Sequence, residues 1–213
     1  MLLRVCMYGE PILRTKGEKI DTFDEELQKL SENMIETMRE NNGIGLGAQQ
    51  IGEARQICVV DVAEAAKAQE LELDYRYDGE VPALEELMPL VLVNPEFINQ
   101  SEEKTPYNEG CLSFPGMMGE VYRPEKVHIR FQDLEGKAHE LECNSLFGRA
   151  IQHEMDHLNA VLFIDHMDKR HLRMLESKLK KLKRQSRDFL KKNKWWGFTR
   201  FRNGEEHAIW SCS

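Results

Sequence analysis

The sequence predicts a mixed fold in which α-helices pack against antiparallel strands. Two observations predict it. Apolar residues recur at helical spacing in separate segments of the chain, and two runs that alternate apolar with polar residues flank a short turn. The chain has 213 residues, of which 41% are hydrophobic and 31% are charged, which suits one domain with a sizeable core.

The N-terminal part of the chain predicts a strand and then a helix. Residues 2–7 are expected to form a short strand, followed by a loop through Pro11. Residues 22–25 have the Thr-x-x-Glu form of a capping box, and Gly43 marks the end of the helix. The apolar stripe of this helix consists of Leu27, Leu30, Met34 and Met38.

The middle of the chain predicts a glycine-rich loop and two further strands. Residues 43–52 contain four glycines, which suit a loop where the backbone approaches another group closely. Strand-like runs follow at residues 56–62 and 90–93. Between them, residues 63–89 carry eight acidic residues against two basic ones and show no convincing period. We expect this insertion to be a partly mobile excursion on the surface.

The C-terminal half predicts a hairpin and two helices. Alternation at residues 127–131 and 138–143 flanks a turn at residues 134–137. One helix is expected to begin at Asn144 or Ser145 and to run to Leu158. A second helix is expected after Asp168, with an apolar stripe of Leu172, Leu175, Leu179 and Leu182. Nothing after residue 193 is assigned to an element.

The charge is distributed unevenly along the chain. The total is −8, but residues 169–202 contain fourteen lysines and arginines against two acids, a charge of +12. The rest of the chain therefore carries −20. Such a basic segment indicates either an anionic partner or the solvated face of a lysine-rich helix.

Composition also indicates the cellular compartment of the protein. No apolar run approaches the roughly 18 residues of a membrane-spanning helix, and no signal or transit peptide is recognised. The five cysteines are odd in number and irregularly spaced, which argues against a disulfide framework. We expect a cytoplasmic protein with no membrane partner.

The strongest motif is a His-Glu-x-x-His string at residues 153–157. His153 and His157 are four residues apart, so on a helix both imidazoles can reach one cation, while Glu154 can act on a ligand of that cation. Taken alone, the residues leave two candidates for a third ligand: Cys111, beside Gly110, and Glu176, inside the basic helix. Phe163 occupies the position where a metzincin would place a histidine.

Three segments, in this order along the chain, resemble the signature motifs of peptide deformylases. They are GIGLGAQQ at residues 43–50, EGCLS at residues 109–113 and QHEMDHL at residues 152–158. The resemblance covers roughly residues 1–62 and 90–185. It implies an α+β fold, with antiparallel β-sheets packed around a central HExxH helix, an N-terminal helix and a C-terminal basic helix.

We expect one catalytic domain with two additions that the resemblance does not cover. Residues 1–185 would form the catalytic domain, with residues 63–89 as an acidic surface insertion. Residues 186–213 would form a C-terminal basic and aromatic extension.

The implied activity is removal of the formyl group from the N-formylmethionyl end of nascent polypeptides, with release of formate. The implied metal ligands are Cys111, His153 and His157. The implied cofactor is one divalent ion, Fe²⁺ in the usual case, which Zn²⁺, Ni²⁺ or Co²⁺ can replace. The implied partner is the ribosome, contacted through the basic C-terminal helix, and the chain is expected to be a monomer or a weak homodimer.

The resemblance assigns roles to further residues. Glu154 would transfer protons, and the side-chain amide of Gln50 and the backbone N–H of Leu112 would stabilise the oxyanion. The residues expected to contact the substrate are Ile44, Gly45, Glu109 and Gly110.

Two features depart from the usual motifs of this family. Gly47 stands where an alanine is usual, and residues 116–119 lack an arginine that many members carry after the cysteine motif. Two other functions stay open on the residues alone: a general zinc peptidase that uses Glu176, and a metal-binding protein without activity.

Overall fold

A computed structural model describes residues 1–193 and confirms the α+β class. The α-helices are α1 (Glu25–Glu40), α2 (Ala63–Ala68), α3 (Leu84–Leu87), α4 (Ser145–Leu158) and α5 (Lys169–Asn193). The strands are β1 (Gly45–Gly47), β2 (Ile57–Val60), β3 (Tyr75–Tyr77), β4 (Leu90–Gln100), β5 (Lys104–Gly110), β6 (Met118–Pro124), β7 (Lys126–Gln132) and β8 (Ala138–Asn144). Short 3₁₀ helices occupy Pro11–Arg14, Ala48–Ile51 and Phe163–Asp165.

The strands form two antiparallel sheets. Six of them pair in the order β1-β2-β4-β7-β8-β3, and β5 pairs with β6 in a separate two-stranded sheet. The predicted hairpin is confirmed as β7 and β8, which pair from Lys126 opposite Asn144 to Gln132 opposite Ala138. Strands β5 and β6 were not predicted from the sequence; β5 ends directly before Cys111.

Helix α4 lies at the centre of the core, as predicted. Twelve of its fourteen residues are buried, and it contacts β1, β2, β7 and β8. Its apolar residues join those of the large sheet in one hydrophobic cluster, in which Phe147, Ile151 and Leu158 are fully buried. The HExxH motif is thus carried on a helix that the core holds on nearly all sides.

Helix α1 is confirmed, but its cap differs from the expected one. The helix begins at Glu25, and the Asp24 carboxylate accepts a hydrogen bond of 3.0 Å from the Leu27 N–H. Thr22 lies outside the first turn and does not cap it. The helix buries Leu27, Met34 and Met38 against β1 and β2.

The expected strand at residues 2–7 is wrong, because this segment belongs to no sheet. It is held by separate hydrogen bonds to unlike partners. The Leu3 N–H donates to Thr37 Oγ1 on α1, and the Cys6 N–H donates to the Gln50 carbonyl at 2.7 Å. Since these partners do not lie on one strand, no ladder can form along the segment.

The acidic insertion contains regular elements that the sequence did not predict. It contains α2, β3 and α3, and β3 pairs with β8 at the edge of the large sheet. Its apolar side chains pack against the main core, and its acidic residues lie at exposed positions. A signal for β3 was nevertheless present, because apolar or aromatic residues alternate strictly with acidic or basic ones over residues 71–77. The apolar and aromatic positions are Leu71, Leu73, Tyr75 and Tyr77.

Helix α5 is confirmed and begins directly after Asp168. The Asp168 carboxylate accepts from the N–H groups of Arg170 and His171, as an N-cap does. The helix continues through position 185, and Ser186 donates to the Tyr8 carbonyl at 2.8 Å. The expected extension from residue 186 stays a prediction, since residues 194–213 lie outside the described chain. None of the described helices is long and apolar enough to cross a membrane.

A histidine between two carboxylates ties the insertion to the β7–β8 turn. His139 is buried, its Nδ1 lies 2.7 Å from Asp78 Oδ2, and its Nε2 lies 3.0 Å from Asp133 Oδ2. Burial opposes charge on the ring, but the hydrogen bonds to Asp133 and Asp78 outweigh it and raise the pKa of His139. The imidazolium form, which donates from both nitrogens, is therefore the form that links the insertion to the sheet.

We predict that His139→Gln removes a pH-dependent part of the free energy of unfolding. Because the pKa of His139 is higher in the folded state, its contribution is complete below the unfolded value of about 6.5 and declines as pH rises through the folded value. Urea unfolding of both proteins between pH 5.5 and 8 measures the difference. Asp133→Asn should reduce the pH-dependent difference, because it removes one of the two carboxylates that raise the pKa of His139. A difference that stays constant between pH 5.5 and 8 would contradict the role of His139.

Candidate metal centre and active site

Three potential metal ligands converge at the centre of the fold. Helix α4 places His153 and His157 on one face, with ring centroids 5.1 Å apart. Cys111 follows the end of β5, and its Sγ lies 3.3 Å from His157 Nε2. One ligand atom from each of these residues lies within 4.8 Å of the others. Two imidazoles and one thiolate form a donor set that suits zinc or ferrous iron.

The alternative third ligand, Glu176, lies elsewhere. It is exposed on α5 and forms an ion pair with Lys180, one turn further along the same helix. Among the described residues, the cluster that could hold a metal ion includes Cys111 and excludes Glu176. The geometry therefore favours the cysteine of the two candidates that the sequence left open.

Glu109 supports one of the histidines from behind. Its carboxylate is buried and lies 3.0 Å from His153 Nδ1, which leaves Nε2 of that ring to face the cluster. Arg123 donates to the same carboxylate at 2.6 Å and 3.0 Å. Burial would raise the pKa of Glu109, but hydrogen bonds from His153 and Arg123 hold it well below its usual range. Glu109 is therefore a carboxylate that orients His153.

Glu154 is buried beside the candidate ligands, and one of its buried oxygens has no partner. Its Oε2 has no hydrogen-bond partner in the described part of the chain. Burial raises the pKa of Glu154 to about 7, a value suited to a group that both accepts and returns a proton. A methyl group on Gly45 would overlap its carboxyl group, so the loop can approach Glu154 only because Gly45 has no side chain.

The Gln50 amide points at Cys111. Its Oε1 accepts a hydrogen bond of 2.8 Å from the Gly47 N–H, which fixes the orientation of the amide. Its Nε2 lies 3.3 Å from Ser113 Oγ and 3.4 Å from Cys111 Sγ. Leu112 follows Cys111 directly and is half-buried. The structure therefore brings the side chain of Gln50 and the backbone of Leu112 to the same cysteine.

The residues expected to contact the substrate lie along two strand edges. Ile44 directly precedes β1, Gly45 begins it, and Gly110 ends β5. In the described chain, β1 pairs with β2 alone and β5 with β6 alone, so each strand has one edge without a strand partner. Glu109 is the exception among the expected contacts, because its side chain is buried against His153.

The departure at Gly47 coincides with a tight contact. A Cβ atom at this position would lie 3.0 Å from Cβ of His157, closer than ordinary van der Waals contact. Glycine here lets the loop lie directly on helix α4. The other departure, the lack of an arginine at residues 116–119, leaves Met118 exposed beside Gly110, with which it pairs across β5 and β6.

Two buried arginines around the site were not predicted from the sequence. Arg123 joins Glu109 to Asp156, with a distance of 2.7 Å from its Nη1 to Asp156 Oδ2. Arg149 also contacts Glu109. A signal for Arg149 was present in the sequence, since it precedes His153 by four residues on an otherwise apolar stretch of helix. No comparable signal marked Arg123.

Comparison with known proteins gives one family. The polypeptide deformylase family model matches residues 2–173. A peptide deformylase of Opitutus terrae is 45% identical over 195 residues, which cover 91% of this chain and 99% of the relative. A peptide deformylase of Methylacidiphilum infernorum is 40% identical over 184 residues, which cover 86% and 94%.

Solved structures agree with the sequence comparisons. A plant peptide deformylase 1B matches with a TM-score of 0.74 and 36% identity, covering 89% of this chain and 92% of that one. The peptide deformylase of Thermotoga maritima matches with a TM-score of 0.67 and 33% identity, covering 79% and 99%. The chain therefore belongs to the peptide deformylase family, whose members are metal-dependent hydrolases that remove the N-formyl group from nascent peptides.

Proposed function

We propose that this chain hydrolyses the formyl amide of N-formylmethionyl peptides with Cys111, His153 and His157 as its metal ligands. The observation that carries the proposal is the convergence of these three side chains with Glu154 and Gln50 at one place. The Cys/His/His donor set and the buried, unpartnered carboxylate oxygen beside it both fit a catalytic divalent ion.

We propose ferrous iron as the physiological metal, with zinc, nickel or cobalt able to replace it. The thiolate and imidazole ligands suit all four ions. When bound, such an ion supplies Lewis-acid chemistry, polarising the formyl carbonyl and lowering the pKa of water from 15.7 to about 7.

Glu154 is the proton carrier in this proposal. It lies next to His153 in sequence, yet its carboxyl group is not among the candidate ligands. Its role is to accept a proton from the attacking water and to deliver it to the departing amine nitrogen. The carboxyl group occupies space that a side chain at Gly45 would fill.

The oxyanion is stabilised by two donors of the chain. Attack on the formyl carbon places negative charge on the formyl oxygen, which requires donors that are already oriented. The Gln50 amide meets this condition because Gly47 fixes its oxygen and leaves its Nε2 directed towards Cys111. The Leu112 N–H is the second donor.

The peptide binds as an added strand between β1 and β5. Strand addition uses the backbone N–H and C=O groups of an edge that has no strand partner. Ile44 and Gly45 on one side and Gly110 on the other provide such edges. Recognition through the backbone suits an enzyme whose substrates share their first residue and differ afterwards.

A product assay distinguishes this function from its rivals. The iron-loaded protein, kept anaerobic, should release formate from a formyl-methionyl tripeptide and leave its internal peptide bonds intact. A general peptidase would cut internal bonds. A metal-binding protein without activity would do neither, and either of these results would refute the proposal.

We predict that Glu154→Gln retains metal and loses turnover. The amide keeps the shape of the side chain but cannot carry the proton, so kcat should fall by about 10²–10⁴-fold. Formate release and metal content are measured on the same preparation. Near-normal activity in a fully metal-loaded variant would contradict the proposed role.

We predict that the iron form loses activity in air or peroxide faster than the nickel form of the same protein. Ferrous iron and its cysteine ligand can both be oxidised, whereas nickel leaves only the cysteine open to attack. Activity half-lives of the two forms at equal metal content provide the measurement. Equal half-lives would show that iron–thiolate chemistry does not limit the enzyme.

We further propose a cytoplasmic enzyme, monomeric or weakly dimeric, that docks on ribosomal RNA through helix α5. Leu179, Leu182 and Ser186 are the buried residues of this helix, and its lysines and arginines are exposed. The outward face includes Lys181, Arg184 and Lys191. A row of exposed positive charges suits phosphate groups, whose neutralisation releases counterions.

We predict that changing Lys181, Arg184 and Lys191 together to glutamine weakens ribosome binding and makes it less dependent on salt. For each phosphate that the variant no longer neutralises, the slope of log affinity against log salt should fall by about 0.7–0.9. Co-sedimentation at several salt concentrations measures the slope. The matched control changes the exposed Lys16, Lys67 and Lys137, and equal binding by both variants would refute docking through α5.

A further inference from the structure

Arg149 is a buried cation that none of the proposed chemical steps uses. It lies on α4, one turn before His153, and only 7% of its surface is exposed. A buried guanidinium is costly unless charged and hydrogen-bonding partners surround it. Its partners therefore show what the residue holds in place.

Three alternate residues of strand β5, which share one face of the strand, contact this one guanidinium. Nη2 donates to the Thr105 carbonyl at 2.7 Å and to Thr105 Oγ1 at 3.1 Å. The Tyr107 ring lies 5.3 Å from the guanidinium carbon, and Nη1 donates to Glu109 Oε1 at 2.9 Å. A further bond from Nη1 reaches the Val121 carbonyl on β6 at 3.2 Å. Arg149 thus fastens β5 to α4 along most of the strand.

The strand that Arg149 fastens leads directly to the metal centre. Glu109 is the last of the three contacts, and Cys111 lies two residues further on. The same Glu109 carboxylate lies 3.0 Å from His153 Nδ1. Arg149 therefore acts on two of the three candidate ligands through one carboxylate, without touching the reacting atoms.

Arg149 and Arg123 both bind the Glu109 carboxylate, but they connect it to different parts of the fold. Arg123 lies on β6 and continues to Asp156, so it binds the carboxylate to the far end of the motif. Arg149 binds the same carboxylate to Thr105, at the other end of β5. Only Arg149 spans the strand, and a lysine at that position, with a single charged nitrogen, cannot span it.

We infer that Arg149 is a positioning residue that sets the location of β5 relative to α4, and with it the distance between Cys111 and the two histidines. The inference rests on the proposed metal ligands. It predicts that loss of Arg149 loosens the metal site while the Glu154 and Gln50 side chains stay in place.

The test measures metal retention and ligand geometry in Arg149→Met and Arg149→Lys. Loss of zinc from the loaded protein to a chelator should be about 10–100-fold faster than in the unchanged protein, as for other residues that support metal ligands. The visible spectrum of the cobalt-loaded protein should shift, because it reports the arrangement of sulfur and nitrogen around the ion. The matched control is Arg130→Met, an exposed arginine of β7 paired with Glu96.

The two measurements distinguish a positioning role of Arg149 from a general loss of stability and from failure of the proposed reaction. A purely structural role would lower the unfolding temperature but would leave metal loss and the cobalt spectrum unchanged well below it, and that result would overturn the inference. If Arg149→Met does not fold, Arg149→Lys keeps the buried charge and decides the question by the same two measurements. Neither measurement requires deformylation, so inactivity of the unchanged protein would count only against the proposed function.

Discussion

Helix α4 imposes the main constraint on this structure, because it is buried on nearly all sides and yet carries five buried polar or charged side chains. A buried polar group without a partner costs about 1–3 kcal/mol, so the surrounding chain must supply acceptors and donors. Gln152 donates to the Pro124 carbonyl, and Glu109 receives hydrogen bonds from His153 and Arg149. The two-stranded sheet of β5 and β6 is held against the helix largely through such polar contacts.

The same constraint draws attention to the polar atoms of α4 that the surrounding chain does not satisfy. Most polar atoms of α4 are satisfied, but Glu154 Oε2 and His157 Nδ1 have no hydrogen-bond partner among the described residues. Buried atoms of this kind are rare in folded proteins and cluster where a ligand, a water or a reaction supplies the missing partner. Beside Glu154, the backbone of β1 approaches closely because Gly45 has no side chain to collide with the carboxyl group, and a side chain at Gly47 would lie tightly against His157.

The charge of the chain follows its architecture. The acidic insertion packs its apolar side chains on the large sheet and places its carboxylates towards solvent, except where Asp78 meets His139. Helix α5 has the same arrangement with positive charge, since Leu179, Leu182 and Ser186 are buried and its lysines and arginines are exposed. The acidic surface of the insertion and the basic surface of α5 are therefore two separate exposed surfaces of one fold.

The sequence by itself determined the elements whose signals are local. Periodicity located α1, α5 and the β7–β8 hairpin, and cap residues located α4. The spacing of His153 and His157 predicted a metal site, because residues four apart on a helix share a face. The sequence could not choose between Cys111 and Glu176 without the resemblance to a family. Only the fold brings a cysteine from the end of β5 to α4, 46 residues away from His157.

Tertiary structure alone decided the support of the site. Arg123 and Glu109 are fourteen residues apart, and their pairing depends on the register of β5 against β6, two strands with weak signals of their own. The insertion was misread for a related reason: its many charges hid the alternation that lets β3 pair with β8. At residues 2–7 the error was the opposite one, a strand predicted where none forms. An apolar run has the propensity for a strand, but it forms one only where a neighbouring strand offers a ladder of hydrogen bonds.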